Sequence, residues 1–261
     1  MAINEQAQKN HDQLFPGHVS AAAVTDPDLV EIFDNWAFDE VLREGNLEIQ
    51  TRLMVQLAAI LACQAVREYR AMLGAALNVG VTPVEVKEIL YQSVPYVGMA
   101  RAFDFIQATN EVLIERGVRL PLPSQSTTTP ENRAEKGLAL LKQIVGTEAI
   151  EKYRASVPAD QQHIQSFLAA HCFGDHYTRT GIDVQTRELL TLSFLVALGG
   201  CDAQVKAHVA ANLNVGNDRA RLIDVITQLL PFIGYPRTLN ALRAVDEVTA
   251  NAATPKSQEG A

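Results

Sequence analysis

The sequence predicts an all-α protein built from two tandem repeats. Almost no segment alternates apolar and polar residues with a period of two, whereas apolar residues recur at helical spacing through most of the 261-residue chain. Hydrophobic residues make up 48 % of the chain and charged residues 20 %, as in ordinary globular domains. The second observation is an internal duplication, which divides the chain into two similar halves.

The duplication has an interval of 136 residues at its clearest points. AALNVG at 75–80 recurs as ANLNVG at 211–216, and VPYVG at 94–98 recurs as LPFIG at 230–234. Further upstream the interval is 135, and the matched pairs run in the same order. A fixed interval with several matches is the signature of repeated structural units. We predict a first repeat over residues 1–120, a linker over 117–133 that is rich in Pro, Ser and Thr, and a second repeat over 134–261.

Helical patterns follow one another along both halves. Residues 1–20 are polar and are expected to be mobile, and the low-complexity tail Ala252–Ala261 is expected to be disordered. Thr82, Pro83 and Glu85 supply an N-cap, a proline in the first turn and a capping-box acid for the helix that follows. The predicted helices are 28–34, 36–44, 51–73, 84–94 and 99–116 in the first half, and 134–143, 148–155, 159–170, 187–198, 202–213, 219–229 and 237–250 in the second.

Charge and cysteine content exclude several classes of function. The formal net charge of −8 argues against a nucleic-acid partner, because phosphate binding requires clustered basic residues. Three cysteines without a CxxC pair make a disulfide framework or a cysteine metal site improbable, and no metal is expected. No apolar stretch reaches the roughly 18–20 residues that cross a bilayer, and the polar N-terminus does not resemble a secretory signal. We therefore expect a cytoplasmic protein without membrane partners.

The stretch Thr186–Gly216 carries the most reactive side chains. A nearly unbroken apolar run follows Glu188 and ends at Gly199-Gly200, which predicts a buried helix. The next segment places Cys201, Gln204 and His208 on one helical face, since positions three, four and seven apart share a face. An acid, a thiol, an amide and an imidazole are thus directed toward an apolar layer.

Together with FGDHYTRTGI at 173–182, this stretch resembles the carboxymuconolactone decarboxylase family, which has the AhpD-like helical bundle fold of the alkylhydroperoxidase AhpD. The shared features are FGD-x-x-x-R, a Gly-Ile-Asp loop, TREL before an apolar helix, a His on the next helix, and the turn Pro231–Pro236. The resemblance covers about 80 residues of each half. It implies a ring-shaped assembly, which for a tandem chain would be a homotrimer.

The resemblance also indicates a chemistry. Redox members of this superfamily use a Glu and a Cys-x-x-Cys-x-x-x-His motif, which corresponds to Glu188, Cys201, Gln204 and His208 here. Because glutamine replaces the second thiol, the chain fits the decarboxylase-type members better. Their reaction needs no cofactor, since the unsaturated lactone substrate accepts the electron pair itself.

The resemblance suggests a role for each candidate residue. His208 would donate the proton, Glu188 would orient the His208 ring, and Cys201 would line the pocket. The substrate-binding candidates are Arg179, Arg187, Gln204 and His176. Five of these residues also have a simpler structural interpretation. His208 can be a core histidine, Glu188 a helix-terminal acid, Cys201 a small buried hydrophobe, Arg187 a structural ion-pair partner and His176 a surface or subunit-contact residue.

The first repeat lacks this set of residues. Its counterparts of Glu188, Cys201, Gln204 and His208 are Leu53, Ala65, Glu68 and Met72. We therefore expect the second repeat to be catalytic and the first to be a scaffold.

Three functions follow as hypotheses. The leading one is a decarboxylase that acts on a small anionic lactone or a related product of aromatic catabolism. The second is a thiol peroxidase with peroxiredoxin activity, in which Cys201 would need a partner such as Cys172. The third is a non-catalytic helical module that binds a ligand or serves in assembly.

Overall fold

A computed structural model describes residues 2–253, with side chains described as far as residue 250. Every regular element in this range is helical, as predicted. The first half contains α1 (Glu5–Leu14), α2 (Ala22–Thr25), α3 (Pro27–Asn35), a π-helical segment (Trp36–Glu40), α4 (Val41–Arg43), α5 (Ile49–Ala62), α6 (Val66–Asn78), α7 (Pro83–Val97) and α8 (Met99–Glu115).

The second half repeats this order after the linker. It contains α9 (Arg133–Val145), α10 (Thr147–Ser156), a short 3₁₀ helix (Ala159–Gln161), α11 (Gln162–Phe167), a π-helical segment (Leu168–Tyr177), α12 (Val184–Leu198), α13 (Asp202–Asn214) and α14 (Arg219–Ala253). Helix α14 bends at Gly234, whose φ of 74° lies in the left-handed region that favours glycine. Its two arms correspond to α7 and α8.

Equivalent contacts recur in the two repeats. The Gln50 side chain donates a hydrogen bond to the Val79 carbonyl at 3.0 Å, and its counterpart Gln185 donates to the Val215 carbonyl at 2.7 Å. Each bond joins the first turn of one helix to the end of the next. The tandem repeat predicted from the sequence is therefore present in the fold.

Helices α5 and α12 pack against each other in the main core. All residues from Arg187 to Ala197 are buried, which confirms that the apolar run in α12 is enclosed on every side. Each central helix is also covered by a helix from the other half: α7 packs on α12, and α14 packs on α5. The two halves thus share one continuous core.

The capping box of α7 agrees with the sequence: Thr82 accepts from the Glu85 amide, and Glu85 accepts from the Thr82 amide. The predicted helix 51–73 was wrong in one respect, because the chain turns between α5 and α6. Gln64 has a φ of 62° there, at the position where the second copy has its paired glycines. The first copy makes the same turn without a glycine to signal it.

The N-terminal region also differs from expectation. Residues 5–14 form α1, which is capped by Asn4 and buries Ala7 and Leu14.

In the second half, α9 lies so close to the π-helical segment that a Cβ on Gly174 would be 2.2 Å from the Arg133 carbonyl oxygen. The glycine of the FGD motif therefore permits this helix contact.

The linker lies against the second repeat. Thr127 and Thr128 donate hydrogen bonds to the carbonyls of Thr178 and Gly174, and the Thr180 amide donates to the Gln125 carbonyl. Most of the predicted disordered tail, 254–261, lies outside the described residues. In the part of the chain that the structure describes, no helix combines the length and apolarity of a membrane span.

Candidate active site

The structure brings Glu188 and His208 together. Glu188 lies in the second turn of α12 and His208 in the middle of α13, and Oε2 of Glu188 is 2.8 Å from Nδ1 of His208. The Glu188 side chain is 0 % exposed and that of His208 is 18 % exposed. The carboxylate is therefore shielded from water, whereas the imidazole is partly exposed.

Asn212 fixes the two helices that carry this pair. Its amide donates to the Glu188 carbonyl at 3.0 Å and to the His208 carbonyl at 2.7 Å. Asn217 donates in turn to the Asn212 side-chain oxygen. These buried bonds hold α12 and α13 in one register, so the carboxylate and the imidazole remain aligned.

A chain of hydroxyl groups lies beside the pair. The Tyr96 hydroxyl donates to the Tyr177 hydroxyl at 3.1 Å, and Tyr177 is hydrogen-bonded to Thr191. Gln92 donates to Thr191 at 3.0 Å. The Tyr96 ring also meets the His208 ring edge-on, with 6.0 Å between their centroids. The first repeat thus contributes a wall of the second repeat's site.

Burial and negative charge keep these groups protonated. Burial raises the pKa of Tyr177 well above its usual value, and the Glu188 carboxylate raises it further. Burial likewise raises the pKa of Tyr96, with Cys172 and Glu188 adding to the effect. The pKa of Cys172 rises to about 12, chiefly through burial. The hydroxyls and this thiol are therefore hydrogen-bond donors at neutral pH.

One oxygen of the Glu188 carboxylate lacks a hydrogen bond. Among the described residues, no donor reaches Oε1, although the atom is buried. Unpaired buried carboxylate oxygens are rare in proteins because their desolvation is costly. This carboxylate therefore has a free acceptor inside the core, next to the imidazole that it holds.

The two candidate arginines, Arg179 and Arg187, bind Glu88 of α7 and not the Glu188–His208 pair. Arg187 donates to Glu88 Oε2 at 2.8 Å and to the side-chain oxygen of Gln92 at 2.9 Å. Arg179 contacts both Glu88 oxygens, at 2.9 and 3.0 Å. Since Arg187 and Glu88 are essentially inaccessible, these contacts favour the structural interpretation of Arg187.

Cys201 and Gln204 lie on the turns of α13 that precede His208. The Cys201 thiol donates to the Leu195 carbonyl at 3.2 Å, and burial followed by the charge of Asp202 raises its pKa. Cys201 is seven residues from His208, a rise of about 10 Å along the helix. Gln204 is exposed, one turn from His208. The three cysteines are free thiols.

His176 does not lie beside His208 in any described contact. Its ring packs against that of His171, with 4.9 Å between centroids. Burial, followed by the nearby His171, lowers its pKa to about 4, and its Nδ1 has no partner in the described region. His176 is therefore neutral at pH 7. Across residues 2–253, no cluster of three or more His, Cys, Asp or Glu side chains is arranged to hold a metal ion.

Sequence reasoning missed the tyrosines of the site. It gave Tyr96, Tyr177 and Thr191 no role in the site. A signal was available in the duplication, because VPYVG has a tyrosine where its copy LPFIG has Phe232. That added hydroxyl bonds to Tyr177, and the ring that carries it contacts His208.

Comparison with known proteins also divides the chain into two repeats. The model of the carboxymuconolactone decarboxylase family matches residues 27–111 and again residues 162–247. The chain belongs to this family. The two matches cover both repeats, including the one that lacks the acid and the histidine.

Two relatives match less than half of this chain but most of their own length. A 4-carboxymuconolactone decarboxylase from Acinetobacter baylyi is 26 % identical over 118 residues, which are 45 % of this chain and 87 % of that protein. An uncharacterized 15.0 kDa protein from Paracoccus denitrificans is 29 % identical over 103 residues, or 39 % of this chain and 72 % of that protein. Both are therefore similar to a single repeat.

A solved structure is similar over nearly the whole length. It is the crystal structure of a Burkholderia xenovorans LB400 protein provisionally named a gamma-carboxymuconolactone decarboxylase subunit. The TM-score is 0.50 at 20 % identity, and the match covers 95 % of this chain and 98 % of that one. At this identity the likeness shows a shared fold.

Proposed function

We propose that the chain is a cofactor-independent decarboxylase that acts on a small carboxylated lactone or a related ring-cleavage product. The observation that carries the proposal is the 2.8 Å bond between a fully buried Glu188 and a partly exposed His208. The family and the name of the Acinetobacter relative support the reaction class.

The pair is suited to delivering a proton to carbon. Because Nδ1 of His208 is bound to Glu188, Nε2 is the nitrogen left to face a substrate, and it has no partner among the described residues. The buried carboxylate stabilises the imidazolium and fixes its orientation. His208 would therefore act as the general acid, with Glu188 as its positioning residue.

The reaction balances without a cofactor. The bond between the ring carbon and its carboxylate breaks, CO₂ leaves, and the electron pair moves onto the lactone carbonyl as a dienolate. Nε2 of His208 then transfers its proton to carbon, and water returns a proton to the imidazole.

The thiol chemistry of the redox members is less well supported. Gln204 stands where a second thiol would be needed, and the raised pKa of Cys201 disfavours the reactive thiolate. We therefore propose that Cys201 is not required for turnover. Cys201→Ser should retain activity in the decarboxylase assay. In a peroxide-consumption assay this variant should not differ from the wild type.

The test is CO₂ release from γ-carboxymuconolactone by purified protein. His208→Met introduces the residue that the first repeat has at this position, Met72, and should abolish turnover without unfolding the chain. His163→Ala removes an exposed histidine of α11 and serves as the control. The proposal fails if the wild type shows no turnover, or if His208→Met is as active as His163→Ala.

We also propose that three chains assemble into a ring. Large apolar side chains are exposed in both halves, including Leu29, Ile32, Met99, Phe103 and Leu239. Such residues are typical of surfaces that other subunits cover. Light scattering on the purified protein should give three times the 28.5 kDa chain mass, and a monomer would refute this assembly.

A further inference from the structure

A cavity lies between the linker and helices α7 and α8. Its volume is about 710 Å³, within the range of small-molecule sites. Apolar walls come from Val84, Ile106, Leu120 and Leu122, and the polar groups include Lys87, Asn110 and Arg179. It shares no lining residue with the Glu188–His208 pair.

Lys87 is a buried cation on this wall. It is 8 % exposed, and its ammonium donates a hydrogen bond to the Asn110 side-chain oxygen. Within the described residues no carboxylate lies within 4.0 Å of its Nζ. Buried ammonium groups are normally paired with an acid, because desolvation of an isolated charge is costly.

The adjacent acid does not neutralise Lys87. Glu88 lines the same cavity, but Arg179 and Arg187 occupy both of its oxygens. Three cationic groups and one carboxylate therefore lie at this end of α7, and the carboxylate contacts only the two arginines. Arg179 also lies over the Tyr91 ring, 5.0 Å from its centroid, so guanidinium and ring form one wall.

The second repeat shows that the fold does not require this arrangement. At the interval of 136 residues, Lys87 corresponds to Ile223, Tyr91 to Thr227 and Asn110 to Asp246. The same helix position therefore accepts an apolar residue in one copy and carries a buried lysine in the other. Burial lowers the pKa of Lys87, because the ammonium group loses part of its hydration there.

We propose that this cavity binds a small organic anion with an apolar or aromatic body. Its carboxylate would lie between Lys87 and Arg179, and its ring would contact Tyr91, Ile106 and Leu122. The ligand supplies the negative charge that the cluster lacks, and the apolar walls favour an organic carboxylate over an inorganic anion.

The experiment is calorimetric titration of the full-length protein with benzoate, benzamide and inorganic phosphate. Benzoate should bind, and neutral benzamide and phosphate should bind at least tenfold more weakly. Lys87→Ile should weaken benzoate binding about tenfold to a hundredfold, the range expected for one charge-assisted hydrogen bond. Lys152→Ile, on exposed α10, removes the same charge elsewhere and should leave the affinity unchanged.

Two further readouts distinguish this site from the proposed active site and from misfolding. His208→Met should retain benzoate binding at the lysine-dependent site. Lys87→Ile should melt at a higher temperature than the wild type without ligand, because it removes an unpaired buried charge. Wild-type benzoate affinity in Lys87→Ile, equal binding of benzamide, or loss of binding in His208→Met alone would overturn the proposal.

Discussion

Replacing Glu88 with glutamine tests the arrangement that joins the two repeats. The substitution keeps the shape of the side chain and one acceptor oxygen but removes its negative charge. Arg187, whose side chain is 0 % exposed, would keep only neutral acceptors: Gln92 and the carbonyls of Ile182 and Arg179. Arg179, at 15 % exposure, would lose its only described carboxylate.

The expected cost follows from this burial. Removing one partner of a buried ion pair destabilises proteins by about 3–5 kcal/mol, because the remaining charge stays desolvated. For a chain of this size each kcal/mol shifts the melting temperature by about 2–4 °C. Glu88→Gln should therefore lower the melting temperature by roughly 6–20 °C.

The duplication supplies a matched control. Asp224 is the counterpart of Glu88 in the second repeat, and its carboxylate accepts one hydrogen bond from the Asn46 amide, at 3.0 Å, with no arginine in its described contacts. Asp224→Asn should cost about 1 kcal/mol. Thermal melts of both variants measure the difference. If they melt within about 2 °C of each other, the buried charge is not what makes Glu88 important.

Three further outcomes are expected. Glu188→Leu, which copies Leu53 of the first repeat, should abolish CO₂ release; retained turnover would contradict the role of Glu188. The pKa of His176 is lowered to about 4 in the native chain. Between pH about 6.5 and 4, His176 is therefore protonated in the unfolded chain but neutral in the native chain, so lowering the pH favours unfolding. The wild type should lose up to about 3 kcal/mol of stability across that window relative to His176→Gln, as denaturant titrations at several pH values would show, and parallel curves would refute the shift. Gly174→Ala should cost about 1–3 kcal/mol because its Cβ would overlap the Arg133 carbonyl, whereas Gly45→Ala, whose Cβ would be 3.3 Å from Asp224, should melt close to the wild type.

Periodicity and repetition were sufficient to predict the helical fold. The apolar run of α12 and the capping box of α7 depend on neighbouring residues, so the sequence displays them directly. The turn at Gln64 and the helix at Glu5–Leu14 were missed for a common reason. Tertiary contacts stabilise both, and the usual local signals, a glycine in the first case and an apolar face in the second, are absent.

The candidate site was predictable only where its residues lie close in sequence. Glu188 and His208 are 20 residues apart, on consecutive helices, and the motif placed them together. Glu88 contacts Arg179 and Arg187 across 91 and 99 residues, and Tyr96 reaches Tyr177 across 81. The packing of α7 against α12 and against the π-helical segment Leu168–Tyr177 creates these contacts, and no pattern within any one of these elements specifies it.

Each central helix, α5 and α12, is covered by a helix of the other half, and this has an evolutionary consequence. A single repeat on its own would leave part of its central helix exposed to water. It would need a second copy of itself in order to bury that surface. Fusion of two copies made this partnership permanent and removed the need for them to remain identical. The first repeat can therefore lack the acid and the histidine and still supply Tyr96 to the second repeat, because its packing role does not depend on those two residues.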